Sequence, residues 1–141
     1  YHTDKSMVYS FGAKPSAAAL AAHNRCLDIC KKAAAMLRPG MVPARIYAEI
    51  VGGLEPEFAR DFMGYGSQQV RFLGHGIGLH IDEFPVIAGG FKAPLGENMT
   101  IALEPKKGLA GIGLVGVEDT FVTTPDGGRS ITGGGLEILT V

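Results

Sequence analysis

The sequence predicts an α+β fold in which helices pack on an antiparallel sheet. Three observations carry that expectation. The chain opens on β-type residues; helical segments then follow between residues 15 and 63. From Gly64 onward the texture changes to glycine-rich strands and turns.

The elements follow in order. Val8 to Phe11 are β-type and Gly12 ends the run, so residues 1–11 read as one strand, on which His2 and Asp4 share a face. "KPSAAALAAHNRCLDICKKAAAMLRPG" reads as the clearest helix. Ser16 is its N-cap, alanines fill the first turns, and Pro39-Gly40 stops it. Leu20, Leu27, Cys30, Ala34 and Leu37 form its apolar stripe. A second helix is predicted from Pro43 to Gly52 with Pro43 in its first turn, and a short third from Pro56 to Met63. "LHIDEFP" alternates like a strand. Met99 to Glu104 reads as a compact strand closed by Pro105, and Gly113 to Thr124 as a longer one. Asp126-Gly127 is a tight-turn signal, after which "RSIT" returns.

Composition bounds the function. The 141 residues suffice for one domain with a core, and 46% apolar against 19% charged residues excludes a disordered chain. A net charge of -1 gives no reason to expect nucleic acid or an anionic membrane as partner. No apolar run approaches the roughly 18 residues of a membrane helix, and no signal-peptide pattern opens the chain. Cys26 and Cys30, four apart on the long helix, read as two reduced, partly buried thiols, which fits a reducing, cytoplasmic setting. The chain starts at Tyr1 inside strand-like sequence, so it reads as a fragment of something longer.

Four potential metal ligands fall on predicted strands or their ends: Asp4, His75, Glu104 and Glu118. Glu104 and Glu118 sit in apolar strands, where an unpaired carboxylate is costly and a divalent cation would compensate it. An oxygen-rich set with one imidazole favours Mn²⁺, Co²⁺, Fe²⁺ or Zn²⁺ over a thiolate zinc site. Carboxylates bridging two cations would make a two-metal centre. Gly74, Gly76 and Gly78 around His75 leave room for close backbone approach beside a ligand. They do not read as a dinucleotide loop, which must follow a strand and open a helix.

"GHGIGL…DEFP", "IALEPK" and "GVEDTFVTTPDGG" resemble successive motifs of the M24 metallopeptidase superfamily: creatinase, prolidase and methionine aminopeptidase, with the pita-bread fold. "YHTDKSMVYSFG" resembles the strand that carries that family's second metal-binding aspartate. The resemblance covers residues 1–141. The fourteen-residue step from Glu104 to Glu118 is more like the prolidase and Xaa-Pro aminopeptidase branch. It implies a partial pita-bread domain, a curved antiparallel sheet with helices on its outer face. It also implies that residues 1–141 are the C-terminal part of one catalytic domain.

By the same resemblance, Asp4 and Glu118 match bridging ligands, and His75 and Glu104 match ligands to one of two metals, Mn²⁺ or Co²⁺ before Zn²⁺ or Fe²⁺. The family's hydroxide, held between the cations, attacks a peptide carbonyl, with Glu104 at the position that handles protons. The implied substrates are short peptides with proline after the scissile bond. The family's first aspartate ligand lies ahead of Tyr1, so the isolated chain is expected to bind at most one metal well and to be impaired or inactive. It is also expected to expose strand edges and self-associate, and the parent to be a homodimer. Asp82 stands where prolidase-like enzymes carry a substrate-contacting histidine, and His80 where they carry an aspartate. On a strand the two would share a face about 7 Å apart, making His80 a candidate relocated donor. This departure leaves two rivals to the Xaa-Pro peptidase: a non-catalytic binding module, and a creatinase-like hydrolase of a small guanidino compound.

Overall fold

The structure, a computed structural model, describes residues 1–134 and 136–141. Its elements are β1 (Tyr9–Ser10), α1 (Ala17–Ala35), α2 (Pro43–Gly52), α3 (Pro56–Ala59), β2 (Gly64–Tyr65), β3 (Gln68–Gln69), β4 (Gly74–Gly76), β5 (Glu83–Val86), β6 (Thr100–Leu103), β7 (Lys106–Leu109), β8 (Gly113–Gly116), β9 (Asp119–Thr124), β10 (Gly127–Ser130) and β11 (Leu139–Thr140). The central sheet runs β10-β9-β6-β4-β5, antiparallel throughout. β7 and β8 form a separate hairpin, β2 and β3 a smaller one, and β1 pairs with β11 in parallel.

Helix α1 begins where the cap predicts: the Ser16 hydroxyl accepts the Ala19 N–H at 3.2 Å. It ends at Met36, before Pro39-Gly40. Of the expected stripe, Cys30, Ala34 and Leu37 are buried and Leu27 packs against the core, and Leu20 alone departs from it. Leu20 is 44% exposed, while Ala22, His23, Cys26, Ile29, Cys30 and Ala33 face inward. Small side chains let the helix approach the sheet closely. Gly128 of β10 makes the same allowance, since a Cβ there would sit 3.0 Å from the Ala34 carbonyl. Leu37, Ile46, Leu73, Ile87, Ile101 and Leu103 complete a core shared by α1, α2 and the sheet. Cys26 and Cys30 are free thiols, pushed up to about 12 chiefly by burial. Among the described residues no helix is long and apolar enough to cross a membrane.

Several predicted elements are shorter. The strand over residues 1–11 reduces to a bridge at Ser6 and the pair Tyr9–Ser10. The reason lies in Thr120. Its backbone N–H goes to the Thr132 hydroxyl at 2.9 Å and its carbonyl takes the Ile131 N–H at 2.9 Å. Asp4 is left to pair with the Thr120 side chain, not with a ladder. His2 consequently does not share the Asp4 environment: it is exposed, and Asp4 half-buried.

α3 stops at Ala59 and not Met63, because Arg60 is extended and Asp61 and Met63 adopt φ of 58° and 60°. The long strand 113–124 breaks at Val117-Glu118, where β8 leaves its hairpin and β9 enters the central sheet. "LHIDEFP" is a bend until Glu83, whose carboxylate turns back to accept the His80 N–H at 2.7 Å. Gly74 and Gly76 make the expected close backbone approach, to the neighbouring strands. A Cβ would stand 2.1 Å from the Ala102 carbonyl oxygen at Gly74 and 2.5 Å from that of Phe84 at Gly76.

Candidate metal centre

His75 is the middle residue of β4, hydrogen-bonded strands lying on both sides. Its Nδ1 lies 3.0 Å from the Gly76 carbonyl, which only an N–H can satisfy. Nε2 is thereby turned toward carboxylates: Asp82 Oδ1 at 3.3 Å, Glu104 Oε1 at 3.4 Å and Asp4 Oδ2 at 3.9 Å. A carbonyl-held imidazole with its second nitrogen free is the usual posture of a metal-ligating histidine.

The carboxylates arrive from separate segments. Asp4 is anchored through its backbone: the Thr120 hydroxyl takes its N–H at 3.3 Å and donates to its carbonyl at 2.8 Å. Glu104 follows β6, with its N–H bonded to the Leu73 carbonyl at 3.0 Å. Its Oε2 pairs with Lys106 Nζ. Glu118 occupies the break between β8 and β9, where the Ser6 hydroxyl donates to Oε2 at 2.7 Å. Ligand atoms of Asp4, His75 and Glu118 lie within 4.8 Å of one another.

The electrostatics follow from this crowding. The Glu104 hydrogen bond raises the His75 pKa to about 9, against burial, with the Gly76 carbonyl and Asp82 adding to the rise. Burial would lift the Glu104 carboxyl, yet hydrogen bonds and charge from His75 and Lys106 hold it below the ordinary range. Glu118 is pushed up, by burial first and then by Asp4 and Glu104, with the Ser6 hydroxyl opposing.

Asp4, His75 and Glu118 therefore gather about one point, and Glu104 adjoins them through His75. The donor set is oxygen-rich with one imidazole and no thiolate, since both cysteines are buried in the core, and it suits a divalent ion of the Mn²⁺, Co²⁺, Fe²⁺ or Zn²⁺ kind. The expected His80–Asp82 relation does not hold. Both residues lie on a bend, so period-two alternation does not apply. Asp82 reaches His75 while His80 is exposed. Three contributors were not foreseen: Ser6, Thr120 and Lys106. Lys106 had a signal, because residues two apart in extended backbone share a face, and it is two beyond Glu104.

Beside His75 lies a cavity of about 360 Å³, lined by Phe72, Asp82, Glu83, Phe84 and Val86. A larger cavity of about 600 Å³ lies between α1 and β9–β10, and none of the four candidate ligands lines it.

Comparison with known proteins is consistent with this architecture. The profile of Metallopeptidase family M24 matches residues 1–125. A Xaa-Pro dipeptidase from Pyrococcus furiosus is 33% identical over 113 residues, covering 80% of this chain and 31% of that protein. The chain thus spans about a third of the length of this curated relative. An X-Pro aminopeptidase from Thermotoga maritima superposes with a TM-score of 0.84 at 25% identity, over 98% of this chain and 37% of the other. The dipeptidase PepE from Mycobacterium ulcerans superposes with a TM-score of 0.82 at 28% identity, over 99% of this chain and 36% of the other. The α+β architecture, an antiparallel sheet with helices packed on it, is the pita-bread fold. With the family profile matching most of its length, the chain belongs to metallopeptidase family M24.

Proposed function

We propose that the protein is a metal-dependent exopeptidase of the Xaa-Pro dipeptidase or aminopeptidase type. Residues 1–141 would be the C-terminal part of its catalytic domain. The observation that carries this reading is the ring of Asp4, Asp82 and Glu104 carboxylates around one imidazole nitrogen, with Glu118 beside it. The names of the relatives supply the substrate class: dipeptides with proline after the scissile bond.

In this reading Asp4, His75, Glu104 and Glu118 hold the metal, two ions in the intact enzyme, with Mn²⁺ or Co²⁺ preferred. Bound divalent ions would supply Lewis acidity toward the peptide carbonyl and lower the pKa of coordinated water. The chain's own groups do the rest. The Gly76 carbonyl fixes the His75 ring. Glu104, 13% exposed and held anionic, is the group able to take a proton at Oε1 and return it to the leaving amine. The apolar cavity bounded by Phe72, Phe84 and Val86 is of a size for a proline ring. The free buried thiols fit a reducing, cytoplasmic setting. Exposed Phe11 (90%), Phe84 (81%) and Leu79 (71%) support self-association or a homodimer, which sedimentation tests.

The test is hydrolysis of Xaa-Pro dipeptides by the full-length protein with Mn²⁺ or Co²⁺. Turnover that chelator abolishes is expected; no turnover with any divalent ion removes the reading. Asp82 favours one rival, a binding module without catalysis, because a carboxylate at pH 7 does not donate as an imidazole can. Peptide binding without hydrolysis, together with absent metal binding in calorimetry, would establish that rival.

A further inference from the structure

We propose that Lys106 is an internal counter-cation of the metal centre: its ammonium holds Glu104 in an ion pair that an arriving divalent ion must displace or share, and so it sets the centre's metal affinity. The inference rests on the metallopeptidase reading above and adds to it a residue that tunes the metal.

Four observations carry it. The two oxygens of Glu104 are divided, Oε1 facing His75 Nε2 at 3.4 Å and Oε2 bonded to Lys106 Nζ. One half of a candidate ligand is thus already taken by a cation of the chain. Second, the lysine stem has a prepared place. Lys106 pairs with Gly116 across the β7–β8 hairpin, where a Cβ would stand 2.8 Å from Lys106 Cβ and 2.4 Å from the Pro105 carbonyl oxygen. A side chain at 116 would push the lysine off its course. Third, Lys106, Glu104, Glu118 and Ser6 line one cavity of about 190 Å³. The ammonium therefore stands inside the acidic centre, with the Lys106 and Glu104 side chains 30% and 13% exposed. Fourth, the adjacent lysine is used differently. Lys107 Nζ donates to the carbonyls of Glu57 and Arg60 behind α3, away from the carboxylates.

Among the ion pairs of the described residues, Lys106 alone of the lysines and arginines engages the cluster Asp4, Asp82, Glu104 and Glu118. A fixed positive charge there opposes a second cation by direct repulsion, and it occupies a lone pair the metal would use. The same charge relieves repulsion among the carboxylates when no metal is bound. Lys106 is a positioning residue in this account, acting on metal through Glu104.

The experiment is calorimetric titration of the full-length protein with Mn²⁺ in one buffer, comparing the natural protein with Lys106→Met and Lys106→Arg. Lys106→Met is expected to tighten Mn²⁺ binding about tenfold and to lower the melting temperature of the metal-free form. Lys106→Arg keeps the charge and should bind within about threefold of the natural protein. Unchanged or weaker Mn²⁺ binding by a folded Lys106→Met protein overturns the proposal, as does tightening of equal size in Lys106→Arg. Lys106→Gln is read the same way should Lys106→Met not fold. Mn²⁺ binding absent from all variants and from the natural protein would instead overturn the metallopeptidase reading, and this inference with it.

Discussion

Asp82 Oδ1 lies 3.3 Å from His75 Nε2, nearer than either Glu104 or Asp4, although Asp82 is largely exposed and sits on a bend. An aspartate thus faces the central imidazole from the solvent side. Replacing it by asparagine removes one of the charges that favour the imidazolium. In the metal-free protein, Asp82→Asn should lower the His75 pKa from about 9, by less than loss of the Glu104 hydrogen bond would. NMR titration of the ring protons reads this directly, and an unmoved pKa would show that Asp82 is too solvated to matter.

Metal must displace a proton from His75. With a pKa of about 9, the ring is protonated at pH 7 in the metal-free state, and coordination needs it neutral. Metal affinity should therefore rise about tenfold per pH unit up to pH 9 and level off above it. Calorimetry at pH 7 in buffers of different ionisation enthalpy should report about one proton released per ion bound. No proton release at pH 7 would contradict the geometry around Nε2.

Glu118 trades stability for ligation. Its carboxyl is pushed up by burial and by Asp4 and Glu104, so ionising it at neutral pH opposes folding in the absence of metal. Glu118→Gln keeps the shape and removes the charge. The metal-free variant should melt roughly 2–5 °C higher, while its Mn²⁺ affinity falls by at least about tenfold. A lower melting temperature together with unchanged Mn²⁺ affinity would assign Glu118 a purely structural part.

His23 and His75 bend the pH dependence of the metal-free protein in opposite directions. His23 on α1 is fully buried with no well-formed hydrogen bond at either ring nitrogen, and burial pushes its pKa below 6.5, with Asn24 opposing. Its stabilising contribution is complete above pH 6.5 and is lost as pH falls through that range. His75, with its pKa raised, contributes below pH 6.5 and loses that contribution as pH rises toward 9. Stability in denaturant should therefore peak near pH 6.5. His23→Leu should flatten the decline as pH falls below 6.5 and leave the alkaline side unchanged. An unaltered acid limb would mean that His23 gains a partner on protonation.

Much of this molecule was legible in local chemistry. Ser16 marked the start of α1 and Pro43 that of α2, because capping and the proline ring act on their own turn. Glu104 and Glu118 announced themselves as carboxylates in apolar strands, a cost that needs a compensating partner wherever it occurs, whereas Asp4 and His75 stood out through the motif resemblance. The reach of the N-terminal strand was not legible, since it depends on Thr120 giving its backbone bonds to residues 131 and 132, far along the chain. Nor was the end of α3, where Asp61 turns back to accept the Gly66 N–H at 2.8 Å.

The amino-acid order alone determined the α+β layering and the oxygen-rich donor chemistry of the motif residues, because period, capping and donor type are properties of short stretches. Tertiary packing alone decided which groups meet at His75. It set Asp82 against His75 from the solvent side, turned the His80 N–H to the Glu83 carboxylate, and delivered the Lys106 ammonium to Glu104. Asp4 and Glu118 come to His75 from opposite ends of the chain, which only the assembled sheet brings within reach of one another.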